Sequence, residues 1–293
     1  MLSNNDFAEL AKSGVHVTLD SLSSVRRYRT FVPAGTKIGL RLDPLASGIG
    51  YMSDPIFGYS SSKLGILPGD FRDVAQTAVS LGLVVDTIHF HCGWGMQMKD
   101  SPSFASILSL VTSIADQYPS IETLNVGGGL TVPYTAQDSP LPIEAWGDLL
   151  KAGLQNHPNI HNVACEIGTF ICAPAGSLVC EVNTVNVKGQ TTWIGVNAGF
   201  PTNLLFYHYS IPLQVFRVRT PTETPTSVVS IASHINEAKD GFGNDILMPM
   251  VEEGDFILLF PAGAYGSSMA SHHCMRGNFG EVMVRIDGTI ELE

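Results

Sequence analysis

Four short segments of this chain hold residue types able to bind an anion or move protons at a small ligand. Pro261-Ala262-Gly263-Ala264-Tyr265-Gly266-Ser267-Ser268-Met269-Ala270-Ser271 joins a glycine-bracketed turn to a run of small residues, which lets backbone N–H groups approach an anion closely. Asn125-Val126-Gly127-Gly128-Gly129-Leu130 offers the same after an apolar run. A bare triple glycine is equally what a tight strand-to-helix turn needs. Cys165-Glu166-Ile167-Gly168-Thr169 adds a carboxylate beside a glycine. His89-Phe90-His91-Cys92-Gly93 sets two imidazoles on one side of a strand. That spacing suits a metal, but no carboxylate or cysteine ligand set accompanies it, so no metal is expected.

The chain that must position these segments has 293 residues, enough to bury a substantial core in one large or two medium domains. Hydrophobic residues make up 44% and charged residues 15%, the balance of a globular protein. A net charge of −11 argues against nucleic acid and against anionic membranes, so any phosphate site must be local and built from backbone dipoles. The five cysteines are odd in number and lack CxxC spacing, which points to free thiols in a reducing compartment. No apolar run approaches a membrane span, and the N-terminus lacks a basic-then-apolar signal pattern. A soluble, cytoplasmic protein is expected.

Short apolar strands alternate with amphipathic helices in the first half. Strands are expected at His16–Leu19, Lys37–Leu42, Val84–Phe90, Glu122–Val126 and Val163–Ile167. Helices are expected at Phe7–Lys12, Ser21–Tyr28, Asp70–Leu81, Ser103–Gln117 and Ile143–Gln155, with Asp70 and Ser103 as start signals. Such alternation implies parallel strands joined by crossovers. After about Cys172 the texture becomes strand-like with intervening turns, at Val182–Val187, Thr191–Val196, Val215–Arg219, Ser227–Ile231, Asp255–Phe260 and Glu281–Ile286. The expectation is an α/β chain: a partial TIM-like β/α barrel over residues 1–172, followed by a mostly antiparallel β domain over residues 173–293. The chemical segments fall at the C-terminal ends of barrel strands, where function gathers in this architecture.

Taken in this order, the segments resemble the pyridoxal-phosphate decarboxylases built on an alanine-racemase-like barrel, with the diaminopimelate and ornithine decarboxylases most similar. The resemblance implies that pyridoxal 5'-phosphate is the cofactor, with Gly127, Gly128 and Gly129 at its phosphate. Tyr265 of the GAYG turn matches a tyrosine touching the same phosphate, although burial at a domain interface is the ordinary fate of such a residue. Glu166 and Gly168 match the family's Glu-Pro-Gly-Arg motif, which reads Glu-Ile-Gly-Thr here, and the carboxylate would sit at the ring nitrogen. His91 matches the histidine that stacks on the ring. Arg41 in Leu-Arg-Leu-Asp-Pro matches an arginine near the cofactor, or makes a barrel-rim salt bridge. Ser62-Lys63-Leu64-Gly65-Ile66 resembles a structural Ser-Lys-Phe-Gly-Ile segment.

Several positions depart from the family pattern. Thr169 stands where the arginine would reach the phosphate, and a hydroxyl offers no charge-assisted bidentate contact. Trp94 replaces a serine. In relatives a Cys-Glu-Ser-x-Asp loop reaches into the partner subunit's site, and its cysteine helps govern protonation. Here that loop includes Asn236, Glu237 and Asp240, and an asparagine cannot act as an acid. Glu237 and Asp240 match the acidic positions and would meet a substrate ammonium, although a solvated acidic loop also reads this way. The usual Tyr-Asn of the family's end motif is His273-Cys274. None of the seven lysines stands in the Tyr-x-Val-Lys context of the cofactor-binding lysine. Asn197-Ala198-Gly199 is followed by Leu204–Tyr209 without the arginine that holds a distal carboxylate. The resemblance therefore implies a decarboxylase of a small-molecule amino-acid substrate, a basic one without a distal carboxylate, working as a homodimer or as a heterodimer with a full-length relative. The alternative is a silent homologue acting through subunit pairing.

Overall fold

Five parallel strands in sequential order form the first sheet: β1 (Val17–Leu19), β2 (Lys37–Leu42), β3 (Val84–Phe90), β4 (Thr123–Asn125) and β5 (Asn162–Ala164). They belong to a computed structural model that describes residues 1–44, 49–50, 63–209, 211–219, 224–277 and 279–292. Ser62 of the Ser-Lys-Leu-Gly-Ile segment lies outside the described residues. The chain divides into two compact units, one of residues 1–132 and 139–169, the other of residues 133–138 and 170–293.

The first unit follows strand–helix alternation because its strands are apolar on both faces while its helices are apolar on one. Helices α1 (Asn4–Ser13), α2 (Leu22–Tyr28), α3 (Phe71–Ser80), α4 (Ser101–Ala115) and α5 (Ile143–Leu154) separate the strands. In α4, Phe104, Ile107, Leu108, Val111 and Ala115 recur at helical spacing and are buried. Phe104 meets Phe90 of β3 at 6.2 Å and Trp146 of α5 at 6.3 Å between ring centroids. The start of α4 moves from the expected Ser103 to Ser101, where Pro102 fits a first turn whose amides have no helical partner. Asp70 does precede α3, but its side chain makes no capping bond. Helix α1 carries the reciprocal cap that α3 lacks: Ser3 Oγ accepts from Asp6 N–H at 3.2 Å, and Asp6 accepts from Ser3 N–H at 2.6 Å. At the N-terminal end of the strands, Lys37 pairs with Glu122 at 2.6 Å and His16 with Asp86 at 2.8 Å.

After the short helix α6 (Gly168–Cys172), the second unit carries a six-stranded sheet in the order β10-β9-β7-β6-β11-β8. Its strands are β6 (Leu178–Lys188), β7 (Thr191–Val196), β8 (Gln214–Arg217), β9 (Ser227–Ala232), β10 (Gly241–Met248) and β11 (Phe256–Phe260). Helix α7 (Leu204–Tyr209) follows β7, and β12 (Val282–Val284) pairs with β13 (Ile290–Leu292) as a separate hairpin. The sheet is antiparallel except for the β7–β9 pair. Its core side is built from Cys180, Val182, Ile194, Val196, Val229, Ile231, Ile257 and Leu259. Strand β10 escapes sequence reading because Gly241, Gly243, Asn244 and Asp245 interrupt its alternation, and its register shifts twice there. No helix among the described residues is long and apolar enough to cross a membrane.

Candidate functional site

The register of the parallel sheet sets one row of side chains across three strands. Arg41 of β2 pairs with His89 of β3, and His89 pairs with Asn125 of β4. Their neighbours one residue on, Leu42, Phe90 and Val126, are fully buried in the core. Alternation therefore turns Arg41, His89 and Asn125 to the other face.

Just beyond the row, the loops leaving β3, β4 and β5 meet backbone to backbone. Val126 N–H donates to Ala164 O at 3.0 Å, and Glu166 N–H donates to Gly127 O at 2.7 Å. Gly127 has φ +65°, and a Cβ there would stand 2.8 Å from His91 Nδ1. A Cβ on Gly128 would collide with the Glu166 carbonyl oxygen. Glycine is thus required at both positions by the seam itself.

Two amides of this loop orient side chains. Gly127 N–H donates to Asn125 Oδ1 at 2.9 Å, and Asn125 Nδ2 in turn donates to Glu166 Oε1 at 2.9 Å. Gly128 N–H donates to His91 Nδ1 at 3.1 Å. Because that nitrogen accepts, a neutral His91 carries its proton on Nε2. His89 Nε2 lies 3.6 Å from Glu166 Oε1. The triple glycine, His91, Asn125 and Glu166 therefore form one connected group.

Burial dominates the electrostatics. It pushes His89 down to about 4, against the pull of Glu166 and with help from Arg41 and His91. It lowers His91 as well, again aided by Arg41. Both imidazoles are neutral at pH 7. The Cys92 thiol is pushed up to about 12 by burial and is inert as a nucleophile. Among the described residues no three His, Cys, Asp or Glu side chains group as a metal would require.

Gly168 opens α6, and its N–H donates to Glu166 O at 2.9 Å. Beside it, Thr169 is buried and accepts the Trp94 indole N–H at 2.9 Å. Two of the positions that depart from the family pattern are thus bonded to each other. Sequence reasoning missed this pairing and the role of Asn125, although Asn125 stands two residues before the first glycine, on the face that Glu166 also serves.

Tyr265, Glu237 and Asp240 belong to the second unit. Tyr265 is 46% exposed with φ +61°, a left-handed backbone unusual for a tyrosine. Asp240 is buried rather than displayed: its Oδ1 accepts Phe200 N–H at 2.9 Å, and burial raises its carboxyl above the usual range. Glu237 is exposed and stands 3.8 Å from His273 Nε2, while the His273 ring packs on Phe200 at 4.9 Å. Cys274 Sγ donates to Asn236 Oδ1 at 3.8 Å. The resemblance gives cysteine at position 236 and asparagine at position 274, so the same pair of side chains stands here with the places exchanged.

Residues 2–173 match the family described as "Pyridoxal-dependent decarboxylase, pyridoxal binding domain". Over 290 residues the chain is 30% identical to a protein named diaminopimelate decarboxylase from Methanothermobacter thermautotrophicus, covering 96% of this chain and 67% of that one. Diaminopimelate decarboxylase from Helicobacter pylori, solved with L-lysine, superposes with a TM-score of 0.87 at 22% identity, over 99% of this chain and 73% of that one. Lysine/ornithine decarboxylase from Vibrio vulnificus, solved with putrescine, gives 0.76 at 19% identity, over 94% of this chain and 70% of that one. At such identities the likeness is one of fold. The chain spans from 48% to 67% of the length of the first curated relatives it matches.

Proposed function

We propose, on the premise that this chain belongs to the pyridoxal-dependent decarboxylase family, that it serves as an amino-acid decarboxylase acting on a basic substrate without a distal carboxylate. The observation that carries this reading is the joining of Glu166, Asn125 and His91 by one glycine loop.

These residues fit pyridoxal 5'-phosphate as a ligand. Glu166 is anchored on one oxygen yet its side chain is 55% exposed, so it can still accept from a ring N–H. His91 is neutral and fixed by a backbone donor, which suits packing against an aromatic ring. His89 Nε2 is a buried polar atom, without a hydrogen-bond partner among the described residues, beside the same carboxylate. When bound, the cofactor supplies an electron sink for the charge left as CO2 departs. Glu166 would hold a proton at the ring nitrogen and so keep that sink strong. Arg41 would add positive charge on the same face. The loop Gly127–Gly129 and Gly168 would border the phosphate, and the Trp94–Thr169 bond leaves it without a guanidinium there.

Glu237 would meet the substrate ammonium, with Asp240 bracing the same loop through the Phe200 amide. Cys274 would supply the thiol that relatives carry at the position of Asn236. The missing distal arginine favours lysine-like or ornithine-like substrates. The active unit would be a dimer, with itself or with a full-length relative, in a reducing cytoplasm that suits five free thiols. The silent alternative draws on the absent lysine context, Thr169, Trp94 and Asn236, whereas the matched relatives are named as enzymes.

Titration of the purified protein with pyridoxal phosphate tests the reading. A saturable change in cofactor absorbance is expected, and Glu166→Ala should abolish it. Mixed with a full-length relative, the chain should support release of labelled CO2 from L-lysine or L-ornithine, and not from diaminopimelate. No absorbance change in the wild type would overturn the proposal.

A further inference from the structure

We infer that His89 is a positioning residue for Glu166, its buried Nε2–H pointing at Oε1 so that His89 and Asn125 together fix the carboxylate in one orientation. The inference rests on the cofactor reading above only for what that carboxylate then meets. Its geometric basis is independent. The His89 side chain is 7% exposed, and its Nε2 has no hydrogen-bond partner among the described residues. Among the described residues the ion-pairing acceptor beside it is Glu166 Oε1 at 3.6 Å, an oxygen already drawn to Asn125 Nδ2 at 2.9 Å. A carboxylate only accepts, so the imidazole must donate, which selects the tautomer protonated on Nε2. A shift of about half an ångström brings the pair within ordinary hydrogen-bond range. Catalytic hydrogen bonds commonly tighten in this way when a ligand arrives.

The charge state matters as much as the direction. Three charged or titratable groups surround His89: Arg41 across the β2–β3 register, His91 two residues along, and Glu166. Burial, Arg41 and His91 all favour the neutral ring, and only Glu166 opposes them. A cationic histidine would cancel the charge of Glu166 and weaken its hold on a protonated ring nitrogen. A neutral donor orients the carboxylate and leaves that charge intact. Asn125 acts likewise, so both of the donors described for Glu166 are uncharged. This is the arrangement expected where a carboxylate must be held still yet remain fully anionic toward its ligand.

The test begins with the cofactor-free protein. Nitrogen-15 NMR of the imidazoles should show His89 as the Nε2–H tautomer, untitrated from pH 8 to about 5.5, with an Nε2 proton that exchanges slowly. In Glu166→Ala that proton should exchange at least tenfold faster, an effect of hydrogen-bond loss that plain burial would not produce. His89→Gln keeps an N–H donor and should bind pyridoxal phosphate within a few-fold of wild type, whereas His89→Phe should bind about tenfold more weakly. If His89→Phe fails to fold, the tautomer and the glutamine variant still decide the matter. An Nδ1–H tautomer, a titration midpoint above pH 6, or unchanged exchange in Glu166→Ala would overturn the inference. Failure of the wild type to bind pyridoxal phosphate would instead sink the cofactor reading, and the tautomer result would then judge the His89–Glu166 pairing by itself.

Discussion

Trp94 donates its indole N–H to the Thr169 hydroxyl at 2.9 Å, closing a contact between positions 75 residues apart in the chain. Each residue satisfies the other, so neither the indole donor nor the buried hydroxyl costs desolvation. The resemblance gives serine and arginine at these two places. We expect Trp94→Ser with Thr169→Arg to raise pyridoxal phosphate affinity by about tenfold or more, through a charge-assisted contact that a hydroxyl cannot make. Thr169→Arg alone should destabilise the fold, since its long side chain would meet the indole. Absorbance titration of the four proteins in the cycle measures the coupling, and additive effects would contradict it.

Asn125 bridges the glycine loop to Glu166 through both ends of its amide. Asn125→Ala should lower thermal stability by about 1 kcal/mol per lost bond and loosen Glu166. Asn125→Asp should do more harm to cofactor binding, because it keeps the acceptor for Gly127 N–H but sets a second carboxylate against the first. Pyridoxal phosphate titration at low and high salt separates the two, since only the aspartate variant should respond to screening.

Stability should fall in acid on account of His89. Its folded value lies at about 4 and the ordinary imidazole value at 6.5, so the native state binds fewer protons than the unfolded chain between those limits. The stabilisation is complete above pH 6.5 and is lost as pH drops toward 4, by about 3 kcal/mol at most. Urea unfolding across this window should show that slope in the wild type and a shallower one in His89→Phe.

Asp240 works in the opposite sense. Burial raises its folded value, so the native state holds the proton longer and stability declines as pH rises through the window above 3.8. Asp240→Asn keeps an oxygen for the Phe200 amide while removing the buried charge. That variant should be at least as stable as wild type at pH 7, measured by thermal melting. A marked loss of stability would show that the carboxylate is needed in its ionised form.

Gly153 of α5 faces Leu108 of α4 so closely that a methyl group there would overlap the leucine side chain. Gly153→Ala should therefore destabilise the first unit by about 1–3 kcal/mol despite the better helix propensity of alanine. Denaturant melts of Gly153→Ala, Leu108→Ala and the double variant should be strongly non-additive.

The strands that hold the site were legible because they are short, apolar and bounded by turns. Lys37–Leu42, Val84–Phe90 and Thr191–Val196 come out with the expected ends. The grouping of His91, the glycines and Glu166 was legible too, since parallel strands deliver their C-terminal loops to one side. The Trp94–Thr169 bond was not, because nothing in either segment announces a partner so far along the chain. Nor was the burial of Asp240, whose loop reads as polar until Gly199 and Phe200 are folded against it. Strand β10 failed for a local reason: glycines and a bulge break the period by which strands are recognised.

The seam among the three loops is made of main-chain atoms, and main-chain atoms are common to every amino acid. Residues that project from it can therefore be exchanged without disturbing the join, as Trp94 and Thr169 illustrate. The join fixes the shape at this point, and the side chains that project from it set the chemistry.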